Sequence, residues 1–110
     1  MTRSKNPEKA KRSEFMELLQ LKYFCDAAQT ENFSKTAKKF DVPTSNISQS
    51  IKRLETELNT ELFTHLSNKI ILNENGKKFY LNAQKALNAL RDGVTAVNDN
   101  LKSAIDDAYT

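Results

Sequence analysis

Residues 33–58, FSKTAKKFDVPTSNISQSIKRLETEL, decide how the rest of this 110-residue chain is read. In the second half of the stretch, from Ser45 to Leu58, the apolar residues Ile47, Ile51, Leu54 and Leu58 recur at helical spacing and define one buried stripe. The opposite face is small and polar, with Ser45, Asn46, Ser48 and Gln49 followed by Lys52 and Arg53. Short hydrogen-bonding side chains followed by cations are what a helix needs to enter a DNA major groove, so the pattern predicts a recognition helix over 45–58. The first half predicts a shorter helix with Ala37 and Phe40 inward and Lys35, Lys38 and Lys39 outward. Asp41-Val42-Pro43 ends it, because the residue before a proline is pushed out of α geometry. Ser34 is the expected N-cap of this helix, with Phe33 as a staple onto its first turn, and Thr44 is the expected N-cap of the recognition helix.

Upstream, Leu18, Leu21, Phe24 and Ala28 form a helical stripe ending near Thr30, with Glu31-Asn32 as the break. Residues 1–15, MTRSKNPEKAKRSEF, are polar and basic without periodicity and are expected to be a disordered basic arm or an added leader, with Met16 as a candidate native start. Downstream, Leu62-Phe63-Thr64-His65 and Lys69-Ile70-Ile71-Leu72 are β-prone runs separated by Leu66-Ser67-Asn68, which predicts a hairpin wing within residues 63–72. Two strands alone are marginal, so they must lean on the helices. Asn73 is positioned to cap a last helix and Glu74 suits its positive end, and only Gly93 argues for a break after that.

The last helix carries a repeat of its own. Ala83, Leu90, Val97 and Ala104 recur every seven residues, interleaved with Leu87, Val94, Leu101 and Ala108, and Tyr80 extends the series. A sustained repeat of about 3.5 residues is a coiled-coil seam. Packing back onto its own domain covers the first turns around Phe79 and Ala83, whereas the remainder predicts a homodimer. The expected organisation is an arm over 1–15, a DNA-binding unit over 16–76 and a linker and dimerisation helix over 77–110.

With 38% hydrophobic residues the chain can build one small core, and two glycines with two prolines argue for a mainly α fold over a turn-rich β fold. The net charge of +3 is unevenly placed: residues 1–15 carry +3, 16–34 −2, 35–78 +3 and 79–110 −1. The excess cations thus fall in the arm and the reading region. Cys25 is the single cysteine, set among apolar neighbours, so an internal disulfide is excluded, core packing is its expected role and a cytoplasmic protein is expected. No apolar run approaches the roughly 18 residues of a membrane span. His65, the only histidine, has no cysteine or carboxylate cluster at metal-ligand spacing and is expected to pack in the wing. Without a phosphate-cradling glycine loop or a Ser/His/Asp constellation, no enzyme activity, metal or cofactor is expected.

Residues 16–76 resemble the N-terminal DNA-binding domain of LysR-type transcriptional regulators and align with the general family pattern without a gap. The match runs through Leu18, Leu21 and Phe24, the Phe33-Ser34 entrance, Ala37, Ile47-Ser48, Ile51, Leu54-Glu55, Leu58, Leu62-Phe63, Leu72 and Gly76. The resemblance implies a winged helix-turn-helix followed by a linker helix that pairs two subunits on an interrupted palindrome in double-stranded DNA. It also implies a C-terminal sensory domain that binds a small inducer, which this sequence lacks, so a truncated or naturally short regulator without an inducer site is expected. The family often has Ser-Gln-Pro where Pro43-Thr44-Ser45 stand, frequently an arginine at Gln49, and Glu-Arg where the wing carries Thr64-His65.

Carried over by position, Ser45, Asn46, Ser48 and Gln49 form the base-reading set. Thr44, Lys35, Lys38, Lys52 and Arg53, with Asn68 and Lys69 of the wing, form the backbone set. Two rival readings keep the dimer but not the DNA: a protein-interaction module, and an antagonist that forms mixed dimers with a longer regulator.

Overall fold

The computed structural model describes residues 17–98; the arm over 1–15, Met16, and the seam residues Leu101, Ala104 and Ala108 lie outside the described residues. The elements are α1 (Leu18–Thr30), α2 (Phe33–Phe40), α3 (Thr44–Leu58), β1 (Phe63–Leu66), β2 (Lys69–Leu72) and α4 (Glu74–Val97). This is the expected mainly α winged helix-turn-helix with a long terminal helix. The boundary drawn at 76/77 falls within α4, whose Ala83 and Leu87 are buried in the same core as α1 and α3.

Each of the first three helices stops on a left-handed residue, and none of these is glycine: Glu31 (φ 52°), Asp41 (φ 58°) and Asn59 (φ 54°). Their N–H groups fold back onto carbonyls of the preceding turn, as Glu31 does onto Ala27 at 2.8 Å. That closure satisfies carbonyls which a helix end otherwise leaves orphaned.

The helix starts differ from the two expected caps. Asn32, not Ser34, caps α2: its backbone is extended and its side chain accepts from the Lys35 N–H at 3.0 Å. The helix therefore begins two residues earlier, with Phe33 in its first turn and its ring edge-on to Phe63 at 5.4 Å. Thr44 is likewise inside α3. Pro43 holds the cap position at φ −64° and ψ 149°, without a side-chain cap bond, because the proline ring already fixes the entry angle.

The expected α3 stripe is buried at Ile47, Ile51 and Leu54, with Leu58 partly covered. At the centre of the core Phe24 is fully buried and meets Phe63 at 5.9 Å and Phe79 at 5.4 Å, both edge-on. Such aromatic pairs add about 0.5–1.5 kcal/mol each beyond their buried area. Polar bonds set the helix angles. Gln20 Nε2 donates to the Ser50 carbonyl at 3.3 Å, tying α1 to α3. Thr36 Oγ1 donates to Asp26 Oδ2 at 2.7 Å, and Lys39 Nζ reaches Asp26 Oδ1 at 3.2 Å, tying α1 to α2.

The strands pair antiparallel, with Phe63 opposite Leu72 and Leu66 opposite Lys69, so Leu66 belongs to the strand and the turn is Ser67-Asn68. Asn73 locks the hairpin base: its Oδ1 accepts from Gly76 N–H at 2.8 Å, starting α4 as expected, and its Nδ2 donates to the Glu61 carbonyl at 2.9 Å. Gly76 has no room for a side chain, since a Cβ there would overlap the Leu62 carbonyl oxygen and sit 2.5 Å from Leu72 Cδ1. Gly93, by contrast, has nothing within 4 Å of the place a Cβ would take, and it does not break α4.

Cys25 is 5% exposed. Burial, and secondarily the neighbouring Asp26 carboxylate, pushes its thiol up to about 12, so almost none of it is thiolate near neutral pH.

The two glycines should respond in opposite directions to the same substitution. Gly76→Ala should destabilise the fold by about 1–3 kcal/mol through overpacking, whereas Gly93→Ala should stabilise it by about 0.5–1 kcal/mol through helix propensity; thermal unfolding of both variants measures the contrast. Iodoacetamide at about pH 8 should alkylate Cys25 at least about a hundredfold more slowly in native than in urea-unfolded protein, as followed by mass spectrometry.

Candidate nucleic-acid interface

The α3 stripe fixes one side of the helix in the core and leaves the other outside. Thr44, Ser45, Asn46 and Gln49 are exposed, as are Lys52 and Arg53 one to two turns further on. Helical spacing aligns Ser45, Gln49 and Lys52 along one line and Asn46, Gln49 and Arg53 along another, so Gln49 stands at the middle of the exposed face. Ser48 is half-buried, and its Oγ donates to the Ser45 carbonyl at 3.3 Å within the helix.

Two grooves flank the wing. One, of about 350 Å³, lies between α3 and β1 and brings Ser48, Gln49 and Lys52 together with His65. The other, of about 410 Å³, lies between the entrance of α2 and the hairpin and is lined by Ser34, His65, Asn68 and Lys69. Lys35 and Lys38 are exposed on α2 but line neither groove.

His65 does not pack in the wing as expected. It shares the strand face of Phe63, but the core ends at that residue: β1 is buried at Phe63 and exposed at Thr64, His65 and Leu66. It thereby projects beside both grooves. The alternation of the strand indicated the face, and only the extent of the core determined that the face was uncovered there.

The dimer-seam candidates divide. Ala83 and Leu87 are buried within the chain's own core, and Tyr80 is half-buried, its hydroxyl accepting from Gln29 Nε2 at 2.8 Å. Beyond them Leu90 and Val97 are 54% and 84% exposed, with Val94 half-covered. Glu31 and Glu55 entered the sequence reading only as a helix break and as part of the family match, without a role; in the structure their carboxylates accept backbone N–H groups from the two ends of the hairpin. No local pattern marks that role, because their partners are distant main-chain amides.

Among the described residues no group of three or more His, Cys, Asp or Glu side chains could hold a metal ion, and no helix is long and apolar enough to cross a membrane. The exposed face instead combines amide and hydroxyl groups with lysines and an arginine, which suits hydrogen bonding to base edges and charge pairing with phosphates.

Residues 18–77 match the model of the family described as bacterial regulatory helix-turn-helix protein, lysR family. Over 83 residues the chain is 41% identical to the uncharacterized HTH-type transcriptional regulator YwqM of Bacillus subtilis, covering 76% of this chain and 28% of that protein. Over 77 residues it is 43% identical to the HTH-type transcriptional regulator BudR of Klebsiella aerogenes, covering 70% of this chain and 53% of the relative. The chain therefore spans about half or less of the length of these relatives. Among solved structures, the crystal structure of the BenM_DBD/catB site 1 DNA complex superposes with a TM-score of 0.71 at 30% identity, covering 74% of this chain and 92% of that one. Full-length CbnR complexed with its target DNA superposes with a TM-score of 0.67 at 32% identity, covering 74% of this chain and 28% of that one.

Proposed function

The chain belongs to the lysR family of bacterial regulatory helix-turn-helix proteins, and from that membership we propose that it binds double-stranded DNA sequence-specifically as a homodimer. The family is regulatory and not enzymatic. The observation that carries the reading is the exposed polar face of α3, held outward by the buried Ile47, Ile51 and Leu54. The similarity to BenM_DBD, crystallised with DNA, supports it across nearly the whole of that chain.

In this reading the N-terminal turns of α3 enter the major groove. Gln49 and Asn46 read bases, since a carboxamide can pair in two-point fashion with adenine N6 and N7. Ser45 and Ser48 contribute shorter hydrogen bonds to bases or phosphates, with Ser48 first giving up its bond to Ser45. Thr44, Lys35, Lys38, Lys52 and Arg53 hold the phosphate backbone, and Asn68 and Lys69 bring the wing to the minor groove. His65, exposed between the two grooves, joins the backbone set.

Residues 16–76 form the reading unit, and the segment over 77–110 pairs two copies so that they address the halves of an interrupted palindrome. Leu90 and Val97, exposed on α4, and the half-covered Val94 supply the described part of the seam. Ala83, Leu87 and Tyr80 serve the chain's own core and set where α4 leaves it.

Selection from a random duplex pool at two salt concentrations, with the dimer state measured at the same protein concentration, tests this function. An interrupted palindrome should be enriched, and the log–log salt slope should steepen by about 0.9 for each phosphate neutralised. Asn46→Ala and Gln49→Ala should each remove about 1–3 kcal/mol of base discrimination while leaving the dimer intact. Weak, sequence-blind binding by a protein that remains dimeric would overturn the reading in favour of a protein-interaction module.

A further inference from the structure

Phe63 and Leu72 face each other at the base of the wing. In an antiparallel ribbon, alternate pairs turn their N–H groups outward, away from the partner strand. Both residues of this base pair do so, and a helix carboxylate meets each. Phe63 N–H donates to Glu55 Oε2 at 3.3 Å, alongside Leu62 N–H at 2.7 Å. On the opposite edge Leu72 N–H donates to Glu31 Oε2 at 2.8 Å, across 41 residues of sequence. The hairpin is therefore gripped from both edges, by α3 on one side and by the end of α1 on the other.

Glu31 occupies an unusual place for a glutamate. It is the left-handed residue that ends α1, at φ 52°, where glycine is at ease and a branched or long side chain is disfavoured. Ending the helix does not require its carboxylate, which reaches the far strand instead. Glu31 also lines the same groove as Asn68 and Lys69, the wing residues assigned to DNA.

We propose that Glu31 is a positioning residue for DNA recognition: with Glu55 on the opposite edge, it fixes the pitch of the wing against α3. The separation between Gln49 in one groove and Lys69 at the other is then set before DNA arrives. This inference rests on the DNA-binding reading above. Electrostatics alone predicts the reverse effect, because removing a negative charge beside a polyanion site strengthens binding. A weakening on loss of Glu31 therefore reports lost positioning.

Glu31→Gly removes the carboxylate and relieves the left-handed backbone, whereas Glu31→Gln removes the charge but keeps an oxygen able to accept from Leu72 N–H. Amide hydrogen exchange at Leu72 is measured in DNA-free protein, together with affinity for a duplex enriched from a random pool by the unmutated chain. Lys69→Ala is then added to both the unmutated and the E31G chains. Exchange at Leu72 should accelerate about tenfold in E31G, and duplex affinity should fall roughly three- to tenfold. E31Q should bind at least as tightly as the unmutated chain, and the penalty for Lys69→Ala should shrink in E31G. If E31G binds as tightly as E31Q, or if the Lys69→Ala penalty is the same in both backgrounds, the positioning role is overturned. If the unmutated chain enriches no duplex, the DNA reading falls and the role in recognition with it, while Leu72 exchange still decides whether Glu31 anchors the wing.

Discussion

A hairpin with four residues in each strand cannot stand alone in water, so everything the wing does depends on how it is joined to the helices. Phe63 makes that joint. It is fully buried, edge-on to Phe24 of α1 and to Phe33 of α2, and Phe24 in turn meets Phe79 of α4. One aromatic cluster thus connects the first helix, the helix-turn-helix entrance, the wing and the terminal helix. Close-packed interiors do not deform gradually, so this cluster, within the core it shares with α3, holds the wing and α3 in one relative orientation.

The polar bonds that surround this cluster decide the angles that apolar contact leaves open. Leucine and isoleucine stripes favour burial but tolerate sliding, whereas a hydrogen bond at 2.7 Å between Thr36 and Asp26 does not. Gln20 reaching the Ser50 carbonyl performs the same task between α1 and α3, and the small Ser50 side chain allows the two helices to approach. The exposed polar face of α3 is therefore positioned by residues on its hidden side. That division explains why a helix with so few apolar residues on its outer face is stable: its burial and its polar ties are all on the inner one.

Periodicity made most of the fold legible. The stripe of Ile47, Ile51 and Leu54, the capping role of Asn73 and the existence of a hairpin before a long helix are local patterns, and the structure contains each of them. The caps were harder because Asn32 and Ser34 are both competent N-caps two positions apart, and only the bond to Lys35 N–H selects Asn32. Pro43 displaced Thr44 from the cap position for a related reason, since a fixed φ substitutes for a side-chain bond. Ala83 and Leu87 fit a coiled-coil seam and a core stripe equally well, because both have nearly the same spacing; three-dimensional proximity to α1 places them in the core. Glu55 stood in the family pattern and Glu31 at a helix break, but neither carboxylate's grip on the hairpin could be read, since any residue can offer a backbone N–H.

The division within α4 bears on how two reading heads would be held in the proposed dimer. Its first half packs into the core it shares with α3 through Ala83 and Leu87, and the seam candidates left exposed, Leu90 and Val97, lie beyond that point. Because the helix continues without interruption through Gly93, the seam and the reading face are joined by a single rod and not by a hinge. The spacing between half-sites is then a matter of where α4 leaves the core and how long the rod is. Gly93 lies between Leu90 and Val94, within that outer stretch, and α4 keeps its helical geometry there with open space where a side chain would stand.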